Sequence, residues 1–137
     1  MFERILVPVD LTPKNRLAVE GACRVLLPDG ELVLVHVVEK LADDNAELES
    51  FYRLLESKAR EELSGLMARA DELGARARSE VLLGHRGEEI VRAAERERAD
   101  LIVLASHRVD PERPLAEGLS LSYRIALFAP CPVLLMK

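Results

Sequence analysis

The 137-residue chain lacks most of the features that reveal a function quickly. It has two cysteines, Cys23 and Cys131, too few for a disulfide framework and not spaced as Cys-x-x-Cys. It has no basic excess: 19 Lys and Arg stand against 24 Asp and Glu, a net charge of -5. A dedicated nucleic-acid binder needs a basic surface to displace counterions from phosphate, so this balance argues against that class. No apolar run approaches the roughly 20 residues that span a bilayer. The opening Met1-Phe2-Glu3-Arg4-Ile5 enters a strand-like run without the form of a signal peptide. A cytoplasmic protein with reduced thiols is the expectation. There is no repeat, low-complexity tract or linker, so residues 1–137 are read as a single domain.

What is present is an alternation of apolar runs and helical stripes. Ile5-Leu6-Val7-Pro8-Val9 is a continuous apolar run, as expected of a strand buried on both faces. Pro8 cannot donate to a ladder, so pairing should end near it. Thr12 is the predicted N-cap of a first helix, with Pro13 at its first position. Leu17, Ala18, Gly21, Ala22 and Val25 continue that helix, and Pro28-Asp29-Gly30 should stop it as a turn. A second strand is predicted from Glu31 to Val38.

Leu48, Phe51, Tyr52, Leu55, Ala59, Leu63, Leu66, Ala70 and Leu73 form one apolar stripe of a long second helix, ended by Gly74. Arg78 to Leu83 is the third strand. Gly84-His85-Arg86-Gly87 reads as the turn into a third helix starting near Glu88. Leu101 to Ala105 is the fourth strand, Leu115 to Phe128 a fourth helix, and Val133 to Met136 a fifth strand. Strands alternating with helices predict an α/β fold: a five-stranded parallel sheet, order 3-2-1-4-5, with helices on both faces.

In such a sheet, ligands bind beyond the carboxyl ends of the strands at the switch point, here between the first and fourth strands. The first-strand loop has no Gly-x-Gly-x-x-Gly, and no Gly-x-x-x-x-Gly-Lys-Ser/Thr occurs anywhere. A receiver domain would want a carboxylate pair after the first strand and an acceptor Asp after the third. This chain offers Asp10-Leu11 and Gly84. His36, His85 and His107 have no metal-ligand spacing. His36, inside an apolar strand, is read as a packed, hydrogen-bonded residue, and Cys131 as a small buried hydrophobe.

Four segments carry a resemblance across the whole chain. Ile5-Leu6-Val7-Pro8-Val9-Asp10, Val35-His36-Val37-Val38-Glu39, Ala99-Asp100-Leu101-Ile102-Val103-Leu104 and Ala129-Pro130-Cys131-Pro132-Val133-Leu134-Leu135 resemble the first, second, fourth and closing strands of universal stress proteins. The resemblance implies the adenine nucleotide α hydrolase-like fold, a stress-response or signalling role without enzymatic activity, and a homodimer. Many members of that family bind ATP through a Gly-x-x-Gly, nine residues, then Gly-Ser or Gly-Thr. Glycines there let the backbone expose N–H groups to phosphate, and the Gly-Ser pair opens a helix whose N-terminus attracts anions.

Carried onto this chain, the resemblance places Pro8, Asp10, Val37, Ala105, Arg108, Gly118 and Ser120 in the nucleotide site. Ala105 and Arg108 replace the two loop glycines. Gly118 lies at the right distance from Arg108 but precedes Leu119, whereas counting back from the closing strand puts Ser120 on the family serine. The two counts differ by one residue. A side chain where φ > 0 is needed costs about 1–3 kcal/mol, and Arg108 would compete with phosphate for space. The expectation is a family member without the usual ATP binding and with no cofactor. The alternatives are an ATP-binding sensor and a small-molecule enzyme using the same cleft. An open apolar edge at Val133, Leu134, Leu135 and Met136 would invite pairing, so the dimer is expected through the fifth strand.

Overall fold

Five parallel strands hydrogen-bond in the order β3-β2-β1-β4-β5. The structure, a computed structural model, describes residues 1–41, 46–105, 112 and 120–137. In chain order the elements are β1 (Phe2–Pro8), α1 (Asn15–Val25), β2 (Leu26–Glu39), α2 (Ala46–Glu72), β3 (Arg76–Gly84), α3 (Arg86–Arg96), β4 (Leu101–Ala105), α4 (Leu121–Phe128) and β5 (Val133–Met136). The fold class and strand order are those predicted.

The continuous apolar runs follow from burial on both faces. Successive side chains on a strand point to opposite sides. Ile5, Val7, Leu32, Leu34, Leu101 and Val103 therefore enter one layer with Ala18, Val19 and Ala22 of α1 and Leu63 and Ala70 of α2. Leu6, Val33, Val35, Val37, Ile102 and Leu104 enter the other with Ile90, Ala93 and Ala94 of α3 and Ile125 of α4. Each fully buried Leu, Ile or Val contributes on the order of 1.5–3 kcal/mol, so this double layer is the main stabilising term.

Local signals and tertiary packing part company at four places. First, Pro28-Asp29-Gly30 does not separate α1 from β2. α1 ends at Val25 and β2 begins at Leu26, while the β1–β2 register jumps from Phe2↔Leu26 to Arg4↔Glu31. The tripeptide is accommodated as an irregularity within the strand. A Cβ on Gly30 would lie 2.8 Å from the Glu3 carbonyl oxygen, so only glycine permits that approach.

Second, Thr12 is not the N-cap of α1. That position falls on Lys14, whose side chain makes no capping bond. The Thr12 hydroxyl donates instead to Asp10 Oδ1 at 2.6 Å, and the Thr12 carbonyl accepts the Asn15 N–H at 3.2 Å. Third, the α2 stripe is narrower than its periodicity suggests: Tyr52, Ala59, Leu63 and Ala70 are buried, but Phe51 and Leu73 are exposed. Fourth, α3 starts at Arg86, two residues before Glu88. The described part of α4 starts at Leu121, with Ser120 as its N-cap. The earlier portion of that predicted helix, residues 115–119, lies outside the described residues.

Candidate functional site

β1 pairs with β4 through Ile5↔Leu101 and Leu6↔Ile102, so the chain reverses its winding between these two strands. A cleft opens above their carboxyl ends. Its cavity volume is about 110 Å3, or about 670 Å3 with the solvent mouth included. Pro8, Val35, Val37, Ile90 and Leu104 make it apolar within, and Asp10, Asn15, Arg86, Ser120 and Ser122 supply its polar groups.

Of the residues proposed from sequence, Pro8, Asp10, Val37, Ala105 and Ser120 all line this cleft. They come from β1, β2, β4 and the start of α4, converging because parallel strands end on the same side. Arg108 and Gly118 lie outside the described residues, as do His107 and Arg113. Ala105 closes β4 and is paired with Met136 of β5.

Asp10 begins a tight polar turn. Its Oδ1 accepts from the Thr12 N–H at 3.0 Å, the Thr12 hydroxyl at 2.6 Å and Asn15 Nδ2 at 2.7 Å. Asn15 Nδ2 also donates to the Thr12 carbonyl at 2.9 Å, and Asn15 Oδ1 accepts from the Asp10 N–H at 3.4 Å. Between them Leu11 sits at φ 64°, a left-handed backbone in a non-glycine residue. Such strain persists only where surrounding bonds over-determine it, and here the Asp10–Thr12–Asn15 network does so. Asp10 thus serves as a turn-former whatever else it meets.

Arg86 is the first residue of α3 and stands at the cleft rim. Its Nε lies 3.7 Å from Glu39 Oε1, and its backbone N–H donates to the same oxygen at 3.3 Å. Both side chains are nearly half exposed, so this pair is weak and exchangeable. Ser120 Oγ accepts the Tyr123 N–H at 3.2 Å, and Ser122 follows two residues on.

His36 does not enter the cleft: its Nδ1 is 2.8 Å from the Val9 carbonyl oxygen, tying β2 to the end of β1. Burial pushes the thiols of both Cys23 and Cys131 up, which disfavours thiolate. No histidine, lysine or cysteine stands beside Ser120 and Ser122 among the described lining residues. Among the described residues there is no cluster of metal-ligating side chains, and no helix is long and apolar enough to cross a membrane.

Asn15, Arg86 and Ser122 escaped the sequence reading. Asn15 stands between Lys14 and Arg16, in a run that reads as solvent-facing, yet it is nearly fully buried, and a buried Asn must find partners. Arg86 lay in a tetrapeptide that reads as a turn. Its signal was a cation at a helix start, where the helix dipole favours anions.

A doubly wound parallel sheet with a cleft at its switch point defines a broad class of α/β ligand-binding proteins. Comparison narrows it: the Universal stress protein family model matches residues 1–137, and the chain belongs to that family. It is 30% identical to universal stress protein MJ0531 of Methanocaldococcus jannaschii over 144 residues, covering 100% of this chain and 83% of the relative. The solved structure of the hypothetical protein MJ0577, from the same organism, superposes with a TM-score of 0.77 at 25% identity, covering 100% of this chain and 96% of the other. A universal stress protein from Archaeoglobus fulgidus in complex with dAMP shares the fold at TM-score 0.68 and 22% identity, over 98% of each chain.

Proposed function

We propose that this chain is a non-catalytic stress-response or signalling module that works in the cytoplasm and does not bind ATP in the family's usual way. The observation that carries the reading is electrostatic. Among the described residues lining the cleft, Asp10 and Arg86 are the charged ones, and their charges cancel. A triphosphate needs a surplus of donors and positive charge around it. Ala105 removes the first of the loop glycines whose backbone would otherwise approach the phosphates. A non-enzymatic role is what membership of the universal stress protein family suggests.

The alternative, an ATP sensor, draws on Pro8, Asp10 and Val37, which line the cleft together. Isothermal titration with Mg-ATP separates the two. Binding weaker than millimolar is expected, and micromolar binding overturns the proposal.

The module is further proposed to work as a homodimer through β5. Its support is the exposure of apolar side chains on and near the open edge: Leu134 and Leu135, on opposite faces of β5, are 38% and 40% exposed, and Leu127 and Phe128 at the end of α4 are 58% and 70% exposed. An unpaired edge with apolar neighbours is a template for a second strand.

A further inference from the structure

α2 turns a side to solvent that its own chain does not use. Tyr52, Ala59, Leu63 and Ala70 are buried against the rest of the fold. Phe51 and Leu54, three residues apart, stand 47% and 67% exposed. From Glu47 to Glu62 every other exposed position is Glu, Ser, Arg or Lys. Glu47 precedes Phe51 by four residues, and Lys58 follows Leu54 by four. Steps of four, three and four keep all four residues on one face of a helix. Glu47 and Lys58 are both exposed, and neither has an ion-pair or hydrogen-bond partner among the described residues.

Read along the helix, this face runs acid, ring, aliphatic, base. Such an order is complementary to itself when reversed. Two copies of α2 laid antiparallel about a two-fold axis midway between Phe51 and Leu54 bring Phe51 of each to the level of Leu54 of the other. The same axis brings Glu47 of each to the level of Lys58 of the other, so both charges gain a partner at once. A two-fold contact requires this: each residue meets, in the second copy, the residue that meets it. A parallel pair would set Glu47 against Glu47 and Lys58 against Lys58, which repel. α2 begins at Ala46, so the overlap of the two helices closes just beyond the charged pair.

The place of α2 in the fold leaves this face accessible to a second copy. α2 packs on β3 and β2, and β3 is the edge of the sheet opposite β5. A contact through α2 therefore does not compete with one through β5. Two apolar side chains per copy are far fewer than the roughly 20–30 residues a side of a stable interface, so the contact is weak. Its dissociation constant is expected at about 0.1–1 mM.

We infer that the Glu47–Phe51–Leu54–Lys58 face of α2 is a docking surface for the same face of a second copy of this chain. Copies joined elsewhere, for example through β5, are linked by it into larger assemblies when they are crowded together.

The test uses the full chain carrying Leu135→Lys, which puts a charge on the β5 edge. Sedimentation equilibrium is run from roughly 10 µM to 1 mM, a range that brackets the expected constant. Self-association should rise across that range, and Leu54→Ser should abolish it. Glu47→Lys and Lys58→Glu should each weaken it by roughly three- to tenfold, because each sets two like-charged pairs along the seam. An equimolar mixture of these two variants should regain the original association, since every lysine of one then faces a glutamate of the other. Thermal melts establish that each variant is folded. Glu47→Lys also removes a carboxylate from the first turn of α2, a cost to its own helix that the mixture would not repair. A chain that stays monomeric to 1 mM overturns the inference. So does association that Leu54→Ser leaves unchanged, or a mixture that associates no better than its components.

Discussion

A Cβ placed on Gly21 would lie 2.6 Å from Met136 Cε and 2.8 Å from its Sδ. Gly21 is in the middle of α1, and Met136 is the last residue of the edge strand β5, so this contact seats the edge strand on the helix layer. Glycine in a helix interior costs roughly 1 kcal/mol relative to alanine, and the close approach explains why it is kept here. Gly21→Ala in the wild-type background should therefore be close to neutral, since displacing the flexible end of the Met136 side chain offsets the gain in helix propensity. In a Met136→Ala background the same substitution should become stabilising by about 0.5–1 kcal/mol. Urea denaturation of the four members of this double-mutant cycle measures the sign. The contact is immaterial if Gly21→Ala has the same effect in both backgrounds.

Asn15 is the polar residue on which the first cleft loop closes. It is 2% exposed, its amide donates to both Asp10 and the Thr12 carbonyl, and its carbonyl accepts from the Asp10 N–H. Asn15→Ala strips partners from groups the loop has already withdrawn from water, a loss of about 1–3 kcal/mol. Asn15→Asp should cost more, because a second carboxylate would face Asp10 Oδ1, now 2.7 Å from the amide nitrogen. Thermal denaturation of both variants at neutral pH checks the order. Equal melting temperatures for Asp and wild type would show that the Asp10–Asn15 bond does not hold the turn.

The sheet was legible because its strands are buried on both faces, and runs such as Leu32 to Val35 have no other comfortable location. Local signals misled where another partner, near or far along the chain, outbid them. Thr12 has the chemistry of an N-cap, yet Asp10 takes its hydroxyl. Pro28-Asp29-Gly30 has the chemistry of a turn, yet β2 carries it as a register shift because Gly30 fits against the Glu3 backbone. Phe51 falls on the spacing of the α2 stripe, but its neighbour Tyr52 takes the buried position and Phe51 stays exposed. The cleft was half legible. Strand order points to the loops after the first, second and fourth strands, and the resemblance to universal stress proteins places Pro8, Asp10, Val37, Ala105 and Ser120 in the site. Arg86 and Asn15 could not be placed that way, because what they do depends on Glu39, 47 residues from Arg86, and on the fold of the loop around Asp10.

Between α1 and α2, Glu20 is clamped by two guanidinium groups: Oε1 lies 3.1 Å from Arg16 Nε and 3.0 Å from Arg69 Nε. The bond to Arg16 first, then that to Arg69, holds the Glu20 carboxyl below the usual carboxylate range. A depressed folded-state pKa means the folded protein binds fewer protons than the unfolded chain. The stabilisation is therefore complete above the ordinary carboxylate value and is lost as pH falls through the lower folded value. Glu20→Gln should be less stable than the wild type at pH 7, and the two curves should converge as pH falls through the lowered folded-state value of Glu20. Because the cluster is solvent-facing, the difference should also shrink in molar salt. Denaturation midpoints measured across that pH range decide it, and parallel curves would show that the clamp carries no pH-dependent stability.

The most consequential edge in the molecule is β5. It has Ile102, Val103, Leu104 and Ala105 of β4 on one side as pairing partners, and its other side is open among the described residues. Leu134 and Leu135 both leave more than a third of their surface in water, and Leu127 and Phe128 at the end of α4 are also exposed. If two such edges pair, a lysine at position 135 would bring two like charges near the two-fold axis into an apolar interface, an arrangement costing several kcal/mol per dimer. Leu135→Lys should therefore sediment as a monomer at micromolar concentration where the wild type sediments as a dimer. Its strand should remain folded, since a charge on an exposed sheet edge is well tolerated in a monomer. Far-ultraviolet circular dichroism of the variant separates loss of association from loss of structure. A dimeric Leu135→Lys would place the interface elsewhere, and a monomeric wild type would remove it altogether.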